Sequence, residues 1–293
     1  FGGRIAMRGI GLTIPDSGRL RLRGAILGEG KRIRTKGLKA LVGGATIGFK
    51  GTVEDPLGEG RFDLSIESHG DSEVNDLVSE FTSVKDTVFG PLDLNGELRG
   101  LAGGTGSVYD TLDGRFRFTI GEGKGGRLRG VSILRAILDQ IPLVGGAARL
   151  TQPFRGGRSV DDYFTEEFEV IEGEFVIGGG RVDAKTLRLS YPGYEARLEG
   201  PVRLATLEAD MTGEVLLKGD LVSAIAGLGG RAQADREPIR IPLARVTGTL
   251  DAPEITMTSE TLAAVPKLLF QATGLDTLTL GVGRALERAL GGN

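Results

Sequence analysis

Strict alternation of apolar and charged residues is the feature that most constrains this chain. Arg19-Leu20-Arg21-Leu22-Arg23 sets a cation at every second position, and Arg32-Ile33-Arg34-Thr35-Lys36 repeats the rhythm. The same period returns in Arg61 to Glu67, Leu92 to Leu98 and Arg115 to Ile120. It continues through Glu167 to Val170, Glu174 to Ile177, Leu187 to Leu189, Ala196 to Glu199, Ile239 to Ile241 and Arg245 to Leu250. Successive side chains of a strand point to opposite faces, so each run sends its apolar residues one way and its charges the other. Turns containing Gly, Asp or Pro separate the runs about every eight to twelve residues, the spacing of an antiparallel meander.

Helical spacing is confined to short insertions. Val74, Leu77, Val78 and Phe81 fall at i, i+3, i+4 and i+7, and Val131 to Ile141 runs until Pro142 stops it. Leu221 to Leu228 adds a turn or two, and the segment from Thr261 reads as two short amphipathic helices. The expectation is a mainly β chain with helices that plug or cap. About 18 strands exceed what one sandwich usually holds, and wide open sheets curl. A sheet curled into a U-shaped trough keeps an apolar interior without a closed core, and acyl chain is the guest that suits it. At about 4.8 Å per strand such a trough would extend on the order of 85 Å.

Several functions are disfavoured by what the chain lacks. The longest uncharged stretch is ten residues, as at Gly100 to Tyr109, so no helix of about 20 apolar residues crosses a bilayer. Cysteine is absent and His69 is the one histidine, which removes thiolate chemistry, disulfides and multi-His metal sites. His69 itself reads as a solvated loop residue. No catalytic residues, metal or cofactor are expected, and the chain is read as a non-enzyme.

Two motifs invite a functional reading. Gly121-Glu122-Gly123-Lys124-Gly125-Gly126 matches a dinucleotide-binding glycine pattern, but with 49 glycines in 293 residues chance supplies such a match, and no βαβ unit follows. It reads as a turn. The acids Asp161, Asp162, Glu166, Glu167, Glu169, Glu172 and Glu174 alternate in part with apolar residues and read as a solvated strand face. Net charge is only −3 but uneven, with eleven basic and two acidic side chains in residues 1–50, then twelve acids against three basic side chains in residues 51–100. With only Phe1 and Phe49 in the basic block there is no stacking platform, so nucleic acid is not expected and a solvated face is the default.

The stretch from about residue 105 to 256 carries a resemblance. Its elements are Leu112-Asp113-Gly114-Arg115-Phe116, Leu128-Arg129-Gly130-Val131-Ser132, and Phe168 through Ile177 followed by Gly180-Arg181-Val182. Then come Leu187-Arg188-Leu189-Ser190, Arg197-Leu198-Glu199-Gly200-Pro201-Val202, Ile241-Pro242-Leu243, Val246-Thr247-Gly248-Thr249-Leu250 and Pro253-Glu254-Ile255. This succession resembles the C-terminal region of AsmA-like proteins, bacterial relatives of the bridge-like lipid transfer proteins. Gly51 to Pro56 with Phe62-Asp63-Leu64 is similar to the repeats that precede that region.

The resemblance implies a periplasmic protein of a diderm bacterium, anchored at the inner membrane through a segment outside this chain, whose β-groove carries phospholipid or another acyl lipid toward the outer membrane. It implies contacts with both membranes and no catalytic residues. A chain opening at Phe1 without a signal-peptide pattern fits a processed product or a piece of a longer protein.

The expected organisation is residues 1–104 as the N-terminal β-repeat part of the groove, 105–258 as the AsmA-like groove, and 261–293 as capping helices. Groove-lining candidates are Leu112, Phe116, Phe118, Ile120, Leu128, Phe168, Val170, Phe175, Ile177, Leu187, Leu189, Leu198, Val202, Ile239, Ile241, Val246 and Leu250. Leu262, Val265, Leu268, Leu269, Leu286 and Leu290 are candidates for contact with a membrane or an envelope protein. Glycines such as Gly114, Gly130 and Gly248 either leave width for a guest or merely allow tight twist and bulges. The alternative for the whole chain is a scaffold in envelope biogenesis that docks partner proteins and carries no lipid.

Overall fold

The computed structural model describes residues 2–14, 18–42, 44–68, 72–81, 86, 88–103, 108–125, 160–163, 165–203, 208–225, 238–249 and 252–264. Alternation becomes sheet nearly throughout them. Numbered along the chain, the strands are β1 (Gly2–Ile14), β2 (Gly18–Glu29), β3 (Arg32–Val42), β4 (Ala45–Glu54), β5 (Arg61–Ser68), β6 (Val88–Phe89), β7 (Leu92–Leu101) and β8 (Asp113–Ile120). There follow β9 (Gly123–Gly125), β10 (Glu167–Phe168), β11 (Val170–Gly178), β12 (Arg181–Tyr191), β13 (Tyr194–Arg203), β14 (Glu208–Leu217), β15 (Ile239–Thr249) and β16 (Ala252–Thr256).

Thirteen of these form one antiparallel sheet in strict chain order, and β10, β9 and β6 form a separate three-stranded sheet. Among the described residues the large sheet counts thirteen strands, against the roughly 18 the sequence suggests, and spans about 58 Å at the usual strand spacing. The glycine-rich segment at 121–126 is a second correction. Gly123–Gly125 is strand β9, paired on both sides, because its backbone is needed to join β6 to β10.

Helix α1 (Val74–Phe81) forms where the spacing predicts it, and α3 (Gly219–Ile225) covers part of the turns expected at Leu221 to Leu228. Two single turns, α2 (Val108–Thr111) and the 3-10 turn η1 (Val160–Tyr163), are additional, and 259–264 is helical. The helix expected at 131–141 and the segment beyond 264 lie outside the described residues. The connections carrying α1 with β6, β9 with η1 and β10, and α3 all leave from the same end of the strands. That end is therefore capped. At residues 104–105 there is no break in the sheet, since β7 and β8 pair from Leu92↔Ile120 to Arg99↔Asp113.

The registers lay out apolar rows across the whole sheet. One row runs Ile5, Ile26, Thr35, Gly51, Leu64, Leu98, Gly114, Ile177, Val182, Val202, Ala209, Gly248 and Pro253. The next includes Leu38, Phe49, Ile66, Gly96, Phe116, Phe175 and Ala184. Opposite-face residues pair by charge. Arg99 meets Asp63 at 3.1 Å, Arg117 meets Glu174 at 3.1 Å, Arg188 meets Glu172 at 3.0 Å and Arg240 meets Glu214 at 3.2 Å.

Four strands carry an extra residue at nearly the same level, between Arg8 and Ile10, Thr35 and Leu38, Ala184 and Leu187, and Leu243 and Val246. Each bulge bends its strand and increases local twist. In the same band Gly24, Gly51, Gly200 and Gly248 take φ of 145°, 154°, 135° and 90° inside strands. A Cβ on Gly51 would stand 2.0 Å from the carbonyl oxygen of Asp63 on the next strand.

Gly51→Ala is therefore expected to cost about 2 kcal/mol or more in urea unfolding. Gly37→Ala, where a Cβ meets nothing within 4 Å, should change stability by less than about 0.5 kcal/mol. Equal effects at both positions would show that the bent band is not held by close strand approach.

Candidate functional site

The candidate site is the apolar face of the large sheet. It divides into two regions. On β5, β7 and β8 the side chains of Phe62, Leu64, Ile66, Leu94, Leu98, Phe116 and Phe118 are all partly exposed. On β11 to β15 the equivalent positions are closed: Phe175, Ile177, Val182, Leu189, Leu198, Val202 and Val246 are each under a tenth exposed, and Ile241 is 0% exposed.

An aromatic cluster marks the boundary. Phe116 and Phe118 point from β8 toward Phe175 on β11, with ring centroids 5.2 Å and 5.4 Å away and planes nearly parallel at 12° and 16°. The rings lie over glycine. A Cβ on Gly173 would stand 2.5 Å from the Phe175 ring and 3.0 Å from that of Phe118. At Gly114 it would stand 2.2 Å from the carbonyl oxygen of Glu97. Space at these glycines is thus filled by neighbouring rings and backbone. Close strand approach, rather than width for a guest, accounts for Gly114, while Gly130 lies outside the described residues.

Placement of the other lining candidates follows from the same registers. Ile120, Leu189 and Ile241 share one apolar row with Leu92, Ile171, Ala196 and Val215. Leu187 and Leu198 pair in the neighbouring row, and Ile239 pairs with Leu217 beside the cap. Leu112 precedes β8 and packs partly buried against the core. Leu128 and Leu250 lie outside the described residues.

Two candidates require correction. Val170 alternates with Ile171 and so shares the charged face of Glu172 and Glu174. Phe168 belongs to the three-stranded sheet, because the chain leaves the alternation at Glu169, and it is buried in the cap instead. Of the C-terminal candidates, Leu262 packs partly buried against the core; Val265, Leu268, Leu269, Leu286 and Leu290 lie outside the described residues. The exposed residues on β5 and β7 are absent from the candidate set. Their signal was the plain alternation of Arg61 to Glu67 and Leu92 to Leu98, which lies outside the stretch where the AsmA-like resemblance is fullest.

The cap is a tyrosine-rich plug. Tyr191 and Tyr194 stack at 4.8 Å with planes 7° apart, and Phe168 sets its edge against Tyr191 at 6.4 Å. The Tyr163 hydroxyl donates to Asp220 at 3.1 Å, tying η1 to α3. Lys218 Nζ donates to the Glu169 carboxylate at 2.8 Å and to the Tyr191 carbonyl at 2.6 Å, and the Ser190 hydroxyl donates to the same carboxylate at 2.8 Å.

Burial pushes the Glu169 carboxyl up, but the bonds from Lys218 and Ser190 together hold it below its ordinary value. On the outer face the Arg245 guanidinium, bonded through two nitrogens at 2.7 Å and 2.8 Å, likewise holds Asp210 below the usual carboxylate range.

Of the acids between Asp161 and Glu174, Glu169 is held by Lys218, Glu172 by Arg188 and Glu174 by Arg117. Among the described residues no three His, Asp or Glu side chains gather as metal ligands. A depression of about 310 Å³ exists between Asn95, Glu97, Arg115, Arg117 and Glu174, on the charged side of the sheet. The apolar region is a partly open surface and not that depression.

Burial lifts the Tyr191 hydroxyl to about 12, and that hydroxyl has no hydrogen-bond partner among the described residues. Because the folded value lies above the unfolded one near 10, this contribution to stability is intact below pH 10 and is lost as pH rises toward 12. Tyr191→Phe should remove that alkaline loss and, by deleting an unpaired buried hydroxyl, raise stability at pH 7 by about 1 kcal/mol. Thermal unfolding at pH 7 and pH 11 checks both, and a destabilised variant would reveal a partner for the hydroxyl.

Compared with protein-family models, curated proteins and solved structures, the chain matches none of them.

Proposed function

We propose that this chain is a lipid-transfer module, with phospholipid acyl chains lying against the apolar face of a sheet curled into a groove. The observation that carries this reading is the partly exposed, uniformly apolar stretch on β5, β7 and β8, continuous in register with apolar rows that reach β16. Water against such a surface is unfavourable, and each acyl CH₂ transferred onto it contributes up to about 0.8 kcal/mol without requiring a specific contact. Aligned bulges and strand glycines support curling across the strands. The charged outer face keeps the other side in water. With the AsmA-like resemblance, the reading extends to phospholipid passage between inner and outer membranes of a diderm bacterium. The segment beyond residue 261 would then contact a membrane or an envelope protein.

A second reading is supported by the closed half. Ile241, Val215, Leu217 and Leu221 are each 0% exposed, as in the core of a scaffold that carries no lipid. Mass spectrometry of an organic extract from gently purified protein separates the two. Several phospholipids per chain are expected in the wild type. Leu64→Asp or Phe118→Asp should cut the yield at least about three-fold, because a carboxylate against acyl chain loses its hydration without gaining a partner. Circular dichroism should remain that of the wild type. A clean wild-type extract from folded protein would favour the scaffold, as would full loading of both variants.

A further inference from the structure

The charged face changes character on its first three strands. From β5 to β15, Arg99, Arg115, Arg117, Arg188, Arg240 and Arg245 each meet a carboxylate on the neighbouring strand. On β1 to β3, Arg32 at the strand end pairs with Glu54, but Arg4, Arg21, Arg23, Arg34 and Lys39 meet no carboxylate among the described residues, and Arg21, Arg23 and Lys39 are exposed. The register goes further than an absence of partners. Arg23 stands directly opposite Lys39, so two exposed cations share one register position. Like charges directly across an antiparallel pair destabilise it. The chain therefore keeps an arrangement that costs stability when no anion is present.

We infer that the outward face of β1 to β3 docks on the surface of a bilayer containing anionic phospholipid. Polyanionic character in the partner follows from the unpaired cations. Its lipid nature follows from what lies among them. Leu41, opposite Arg21 in register, is 40% exposed, and Leu27, opposite Arg34, is partly exposed. Cations beside exposed leucine match a headgroup layer above acyl chains. These strands contain no aromatic residue, so single-stranded nucleic acid finds nothing on which to stack its bases. The surface works independently of whether the opposite face carries lipid.

Co-sedimentation of the full chain with vesicles tests this. Phosphatidylcholine vesicles carrying about one-third phosphatidylglycerol should bind the protein at about 0.05 M salt and release it at about 0.5 M, while pure phosphatidylcholine vesicles should not bind it. Each juxtamembrane cation contributes about five-fold, so R21S/R23S/K39S should weaken binding on the order of 100-fold. Its thermal midpoint should not fall, because like charges have been removed. R115S/R117S, which removes ion-paired arginines of the same sheet face, should bind as the wild type does, and R21K/R23K should retain binding.

Equal affinity for neutral and anionic vesicles would overturn the inference, as would salt-insensitive binding or full binding by R21S/R23S/K39S. Binding of a short DNA duplex with no vesicle binding would also overturn it. Should R21S/R23S/K39S fail to fold, the dependence of wild-type binding on salt and vesicle charge decides alone. None of these readouts depends on lipid in the organic extract, so the two readings fail separately.

Discussion

Backbone pairing with a two-residue side-chain period is the constraint on which everything else here depends. In a meander where each strand bonds the next, a slip of one residue would turn a whole strand's leucines to water and its arginines inward. Thirteen strands in uninterrupted chain order avoid this, and the result is apolar rows crossing the entire sheet. The four bulges are consistent with that requirement. Each adds one residue, and the apolar pattern changes parity at the same point, as where Thr35 gives way to Leu38 and Ala184 to Leu187. The bend is thus accommodated without reversing the faces.

What covers the apolar face separates its two regions. Over the later strands α3, η1 and the three-stranded sheet bring Leu221, Tyr163 and Phe168 down onto Tyr191, Tyr194 and Leu217, and the rows beneath become a packed core. Over β5, β7 and β8 the same kind of row stays partly open. Phe116, Phe118 and Phe175 stack at the junction, which lets an open surface grade into a core without a step.

The charged face shows a comparable division. Individual exposed ion pairs contribute little, roughly 0–1 kcal/mol each. Their regular placement across β5 to β15 still matters, because opposite charges in register favour the observed pairing over a shifted one. Among the described residues of β1 to β3 this aid is confined to Arg32, which pairs with Glu54 on β4, and apolar positions such as Ala40 opposite Leu22 supply the rest.

Alternation determined that the chain is mainly β and that its strands are two-faced, and the i, i+3, i+4, i+7 spacing of Val74 to Phe81 determined where α1 would interrupt them. Hydrophobic period is a local property and needs no knowledge of neighbours. Assignment of Phe168 and Val170 to the apolar face failed for a reason no local pattern reveals. The chain departs at Glu169, whose carboxylate is held by Lys218 from 49 residues away. The open residues on β5 and β7 were visible as alternation, but alternation states only which side a residue faces. Whether that side is covered depends on insertions distant in sequence, and only the tertiary structure decided that Leu64 stays partly open while Ile241 is sealed.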